Sequence, residues 1–131
     1  MLFNTHQKRA SAMKTYSGRC HCGAISFSFT HEVIESGLRC NCSICKRKGA
    51  VMSDFTLSPG QLTIHATESD LGMYQFDTKI AKHYFCKICG IYPFHQTFIK
   101  PGEYRINLGC IDAIDMDKIK IRLHDDKSLT A

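Results

Sequence analysis

The chain has no tryptophan, only three prolines, and no apolar run longer than two or three residues, as in Ala50-Val51-Met52. A helix that crosses a bilayer needs about 20 apolar residues in a row, so that class is excluded. Residues 1–14, MLFNTHQKRASAMK, carry basic groups but lack the apolar stretch of about 7–15 residues that a secretory signal requires, and the expected compartment is the cytoplasm. Internal repeats and linker-like tracts are missing, and so is a convincing amphipathic helix. Residues 111–118 offer one short turn at most. No Ser-His-Asp arrangement and no carboxylate pair at informative spacing competes for a catalytic role. At 131 residues the chain is one domain's worth. Its 44% hydrophobic and 22% charged residues exclude wholesale disorder, collagen and coiled coil.

What is present is a set of short alternating segments. Residues 24–30 place Ile25, Phe27 and Phe29 on one face of a half-buried strand. Residues 51–57, ended by Ser58-Pro59-Gly60, and 62–66 read as further strands. Tyr74 with Phe76, and the residues around Tyr84, suggest two strands joined by Asp77-Thr78-Lys79. In 91–98, Pro93 cannot donate to a ladder, which favours an edge or a bulge. Residues 104–108 alternate again, and so do Ile119, Ile121 and Leu123. The expected fold is all-β and antiparallel, with little or no helix: a loose arm over 1–14, then one domain over 15–131 with its core from about Tyr16 onward. Phe27, Phe29, Phe76 and Phe85 are the expected aromatic core.

Eight cysteines in 131 residues exceed what packing alone would supply. In a chain without an export signal, thiolate-bound metal explains them better than disulfides. Their spacing is Cys20-x-Cys22, Cys40-x-Cys42-x-x-Cys45 and Cys86-x-x-Cys89, with Cys110 alone. In extended backbone the two cysteines of a C-x-C point to one side, and a C-x-x-C turn brings two sulfurs to one ion. Gly90, after Cys89, supplies the permissive backbone of such a turn. Seven clustered thiols divide into a closed set of four and an open set of three, the latter leaving one coordination position for water or substrate. Spacing leaves two divisions open. Cys20, Cys22, Cys86 and Cys89 can combine, with Cys40, Cys42 and Cys45 as a compact triad on one loop. Alternatively Cys42 and Cys45 pair with Cys86 and Cys89 and leave a scattered triad.

The ordered segments GRCHCGAISF, CNCSICKRKGA, HYFCKICGIYPF and RINLGCID, which together extend over 18–112, resemble the glutathione-dependent formaldehyde-activating enzymes and the related centromere-protein-V-like proteins. That resemblance implies an Mss4-like β fold, with zinc, two ions per chain, as cofactor. It assigns Cys20, Cys22, Cys86 and Cys89 to a structural zinc and Cys40, Cys42 and Cys45 to a catalytic one. Some relatives carry His where this chain has Asn41. The implied activity is that of a carbon-sulfur lyase that handles a thiol-aldehyde adduct, glutathione plus formaldehyde giving S-hydroxymethylglutathione. Glutathione and an aldehyde are then the small-molecule partners.

Three thiolates on one zinc leave a net charge of −1, which suits a thiolate carrier better than a water activator. Lys46, Arg47 and Lys48, directly after the triad, are candidates to bind glutathione carboxylates or nucleic-acid phosphate, against a solvated loop as the plainer reading. His21, His83 and His95 are candidate proton shuttles or fourth ligands, although a histidine near metal more often orients the ligands. Cys110 shares a face with Tyr104, Ile106 and Leu108 and reads as a core thiol. The alternative function is a zinc-stabilised binding module for a protein or nucleic acid. Two bound zinc ions and seven thiolates would reduce the formal charge of +5 to about +2, which, with the absence of tryptophan, argues against nucleic acid.

Overall fold

The computed structural model describes residues 13–125, and within them the regular structure is mostly β-strand. Nine strands occur in order: β1 Met13–Arg19, β2 Ile25–Glu32, β3 Ser36–Cys40, β4 Thr63–Ala66, β5 Leu71–Tyr74, β6 Lys82–Cys86, β7 Phe94–Gln96, β8 Tyr104–Ile106 and β9 Lys120–His124. One short helix, α1 Ser43–Lys48, follows β3. Among the described residues no helix is long and apolar enough to cross a membrane. The strands form a three-stranded sheet ordered β1-β2-β4, a four-stranded sheet ordered β5-β6-β7-β8, and a ribbon of β3 with β9. Both larger sheets are antiparallel, and the ribbon is parallel. Its two strands lie far apart in the chain, so no hairpin dictates their direction.

Strict alternation builds the first sheet. Ile25, Phe27 and Phe29 turn inward from β2, and Tyr16 on β1 stacks on Phe29 with ring centroids 5.6 Å apart. The Tyr16 hydroxyl accepts from the Ile34 amide at 2.9 Å, which pairs its polar end inside the core. Phe27 meets Phe94 of β7 edge to face at 6.0 Å, so the two larger sheets share one core. Ile106, Leu108 and Ile111 complete it, all at most 1% exposed.

Several expectations need adjustment. Met13 and Lys14 begin β1, while the rest of the expected arm lies outside the described residues. Residues 51–57 make isolated bridges at Met52 and Leu57 rather than a strand. Pro93 is buried immediately ahead of β7, where its missing N–H costs no ladder bond. Cys110 is buried as expected, but in a 3₁₀ turn, Leu108–Cys110, rather than on a strand. Phe85 is not core: it is 37% exposed, with the side-chain-less Gly72 as its cross-strand partner.

Two glycines face aromatic rings across a ladder. A Cβ at Gly18 would lie 2.2 Å from the ring of Phe27, and one at Gly72 would lie 2.3 Å from that of Phe85. Phe27 is locked in the core, whereas Phe85 has solvent to swing into. Gly18→Ala should therefore destabilise the fold by about 1–3 kcal/mol, and Gly72→Ala by less than about 1 kcal/mol. Urea denaturation of the metal-loaded variants measures the difference, and equal losses would contradict this packing.

Candidate functional site

The closed set of thiols is built by two turns, each begun by a cysteine whose amide donates to the carbonyl of an isoleucine five residues on. After β1, the Cys20 amide donates to Ile25 O at 2.9 Å and the Ile25 amide donates to Cys20 Sγ at 3.3 Å. After β6, the Cys86 amide donates to Ile91 O at 2.9 Å, and the amides of Ile88 and Cys89 donate to Cys86 Sγ at 3.4 Å. Gly90, at φ 80°, reverses the chain and donates to Cys86 O at 2.9 Å. The sulfurs of Cys20, Cys22, Cys86 and Cys89 all lie within 4.8 Å of one another. Cys20 and Cys22 Sγ are 3.7 Å apart, and Cys22 and Cys86 Sγ 3.6 Å. Tetrahedral Zn–S bonds of about 2.3 Å would set such separations at about 3.8 Å, so the donor set fits a zinc-sized ion. The backbone amides of Cys22 and Ile91 pull the Cys89 thiol down to about 6, toward the thiolate that binds metal.

The second set stands where the ribbon gives way to the helix. Cys40 ends β3, Cys42 is the N-cap of α1 with extended backbone, and Cys45 lies one turn in, all three sulfurs within 4.8 Å. Gly49, left-handed at φ 68°, closes the helix by donating to Cys45 O at 3.0 Å. Asn41, between the ligand candidates, donates from its side chain to Asp125 at 2.8 Å and from its amide to His124 O at 3.2 Å, which ties this loop to the end of β9. Burial, and then the charge of Cys40, holds the Cys45 thiol far above its ordinary range. Three thiolates crowded in this way need a cation beside them. Among the described residues no fourth Cys, His, Asp or Glu joins the group, so a metal held here would keep one position for another ligand.

Against this triad lies a layer that sequence reading only partly foresaw. Lys46 and Arg47 are exposed on α1, Arg47 donating to Ser43 O at 2.8 Å, while Lys48 turns inward. Lys48 Nζ lies 2.5 Å from His83 Nδ1 and 3.6 Å from the ring centroid of Tyr92. His83 and His95 are cross-strand partners on β6 and β7, 4% and 7% exposed, and the Tyr92 hydroxyl shares a hydrogen bond with His95 Nδ1. Burial pushes Lys48 down to about 8, with the thiols of Cys45, Cys42 and Cys40 opposing it. Burial, reinforced by Lys48, pushes His83 down to about 4 and His95 well below the usual range, so both rings are neutral at pH 7. A cavity of about 60 Å³ adjoins Cys40 and Cys45, walled by Leu38, Met52, His83, His95 and Arg105 among others.

Of the residues singled out from sequence, the structure brings together Cys20, Cys22, Cys86 and Cys89, and separately Cys40, Cys42 and Cys45, the first of the two divisions that spacing left open. His83 and His95 gather beside the triad, whereas His21 is exposed. Tyr92 and Arg105 carried no signal, and Lys48 only that of the basic stretch after the triad: the three sit on different segments that only folding makes neighbours.

The chain is thus a small β protein with one closed set of four thiols and one open set of three, each able to hold a metal ion. The family model described as glutathione-dependent formaldehyde-activating enzyme matches residues 15–125, and the chain belongs to that family. The crystal structure of a Rhodobacter sphaeroides protein, a structural-genomics target, is 33% identical, covers 81% of this chain and 99% of that one, and superposes with a TM-score of 0.69. The all-β, Mss4-like architecture expected from sequence is thereby shown.

The closed set joins the β1–β2 turn to the β6–β7 turn, so its loss should undo both sheets. Cys86→Ser should abolish the cooperative thermal transition followed by circular dichroism and should lose bound metal. A variant that melts like the parent with one ion fewer would remove this centre from the folding of the domain.

Proposed function

We propose that the protein is a zinc-dependent carbon-sulfur lyase-type enzyme that makes or cleaves a thiol-aldehyde adduct, with glutathione and formaldehyde as the pair and S-hydroxymethylglutathione as the adduct. Membership of the family supports the reaction class. The observation that carries the reading to this chain is the open triad of Cys40, Cys42 and Cys45 beside a cavity that admits only a few atoms. The all-thiol donor sets support zinc, one ion in each. Zinc in the open set would hold the incoming sulfur as a thiolate at neutral pH, with the charge of three cysteine thiolates disfavouring water activation.

The chain's own residues supply the rest. Cys40, Cys42 and Cys45 hold the ion from one loop, and the amide of Cys42 donates to Cys40 Sγ at 3.5 Å, which helps fix that sulfur. Leu38, Met52, Phe98 and Ile99 supply the apolar part of the cavity wall against which the small reacting group would pack. The peptide part of glutathione is too large for this cavity and stays outside it. Arg47 borders a shallow cleft of about 260 Å³ with Ser43, Ile44, Tyr74 and Phe76, and we assign it, with Lys46, to the glutathione carboxylates. Eight free thiols suit a reducing, cytoplasmic setting.

The test is Cys42→Ser. Cys42 serves both the C-x-C and the C-x-x-C, and serine is itself a favoured N-cap, so α1 keeps its start. Zinc-dependent turnover of the adduct, followed by exchange spectroscopy, should fall to the uncatalysed rate while the melting temperature stays within a few degrees of the parent. A folded variant with parental turnover would take this centre out of the chemistry and favour a zinc-stabilised binding module.

A further inference from the structure

His83 touches three side chains and keeps one buried ring nitrogen without a partner. Its ring lies between Phe76 and His95, with centroids 5.9 Å and 5.5 Å away, and its Nδ1 faces Lys48 Nζ at 2.5 Å. A protonated amine only donates, so Nδ1 accepts and the neutral ring carries its hydrogen on Nε2. That Nε2 is buried and has no hydrogen-bond partner, and the ring borders the cavity shared with Cys40 and Cys45. Buried polar groups are almost always paired, so an orphaned N–H beside a cavity marks the place of a ligand atom that accepts. The cavity, about 60 Å³, has room for a hydroxymethyl group or a molecule of similar size and not for a peptide.

We propose that His83 is a catalytic residue whose Nε2–H donates to the aldehyde-derived oxygen of the adduct, and that Lys48 is the positioning residue that fixes this tautomer. The inference rests on the thiol-aldehyde reading and deepens it. In the forward direction the sulfur lone pair forms the C–S bond, the C=O π pair moves onto oxygen, and His83 Nε2–H hydrogen-bonds that oxygen as its charge grows. The alkoxide then takes a proton from water, and the resulting hydroxide is neutralised by the proton the thiol released on ionising. The net change is thiol plus aldehyde to hydroxymethyl thioether. In reverse the C–S pair returns to sulfur. A preorganised donor aimed at developing charge stabilises it more than water would, because no solvent must reorient.

The test uses zinc-loaded protein with glutathione and formaldehyde at equilibrium. Long-range ¹H–¹⁵N spectra of the parent at pH 7 should report His83 as the Nε2–H tautomer, and Lys48→Met should convert it to a mixture with Nδ1–H. His83→Leu should lower kcat by about 100-fold with the KM for glutathione within about twofold, the pattern of a contact strengthened in the transition state. His83→Gln, whose side-chain amide can donate from a similar position, should recover about a tenth or more of parental kcat. An active parent whose His83 is the Nδ1–H tautomer, or a folded His83→Leu protein with parental kcat, overturns this inference alone. A parent that accelerates no exchange overturns the thiol-aldehyde reading and this inference with it.

Discussion

Four sulfur atoms from turns more than sixty residues apart in sequence lie within 4.8 Å of one another, and most of the architecture follows from holding them there. Cys20 and Cys22 sit where β1 turns into β2, and Cys86 and Cys89 where β6 turns toward β7, so one ion would pin strand ends of the two large sheets to each other. The described core is modest, with one layer of aromatics between the sheets, and a domain of this size gains much of its folding free energy from such a cross-link. The amide that donates to Cys20 Sγ belongs to the first residue of β2, and those that donate to Cys86 Sγ belong to the turn after β6, which prepares both sulfurs as acceptors before any cation binds.

The open triad is built on a different principle. It hangs from the end of a parallel ribbon and the first turn of a six-residue helix, where the backbone changes from extended to helical within three residues. The same helix that delivers Cys45 delivers Lys48 three residues later, one turn along the same side, so ligand and cation arrive together. Lys48 then meets His83, and a neutral, oriented imidazole ends up beside the cavity. Thiolate crowding, a depressed lysine and two neutral histidines are parts of one electrostatic arrangement, each set by burial against the second sheet.

Much of this was legible in the residues. The alternation of Ile25, Phe27 and Phe29 announces β2, and paired cysteine spacing has no packing rationale, so the metal sets could be read before the fold was known. β1 was harder, since only Tyr16 and Gly18 of its seven residues face inward and glycine gives no apolar signal. Which thiols form the four and which the three was not fixed by spacing, because the distance between Cys22 and Cys86 depends on how two sheets pack. Phe85 looked like core by composition but lies at an exposed position of β6 opposite Gly72. The layer of Lys48, His83, Tyr92, His95 and Arg105 comes from four separate stretches, and no local pattern joins them.

The central claim is that one centre is closed and the other keeps a position for a sulfur ligand. X-ray absorption at the zinc edge of the fully loaded protein tests it without relying on turnover. The seven clustered thiols predict seven sulfurs and one lighter atom shared between two ions, with glutathione replacing the lighter atom by an eighth sulfur. A first shell that does not change when glutathione is added, or that already contains four sulfurs around each ion, would contradict the account.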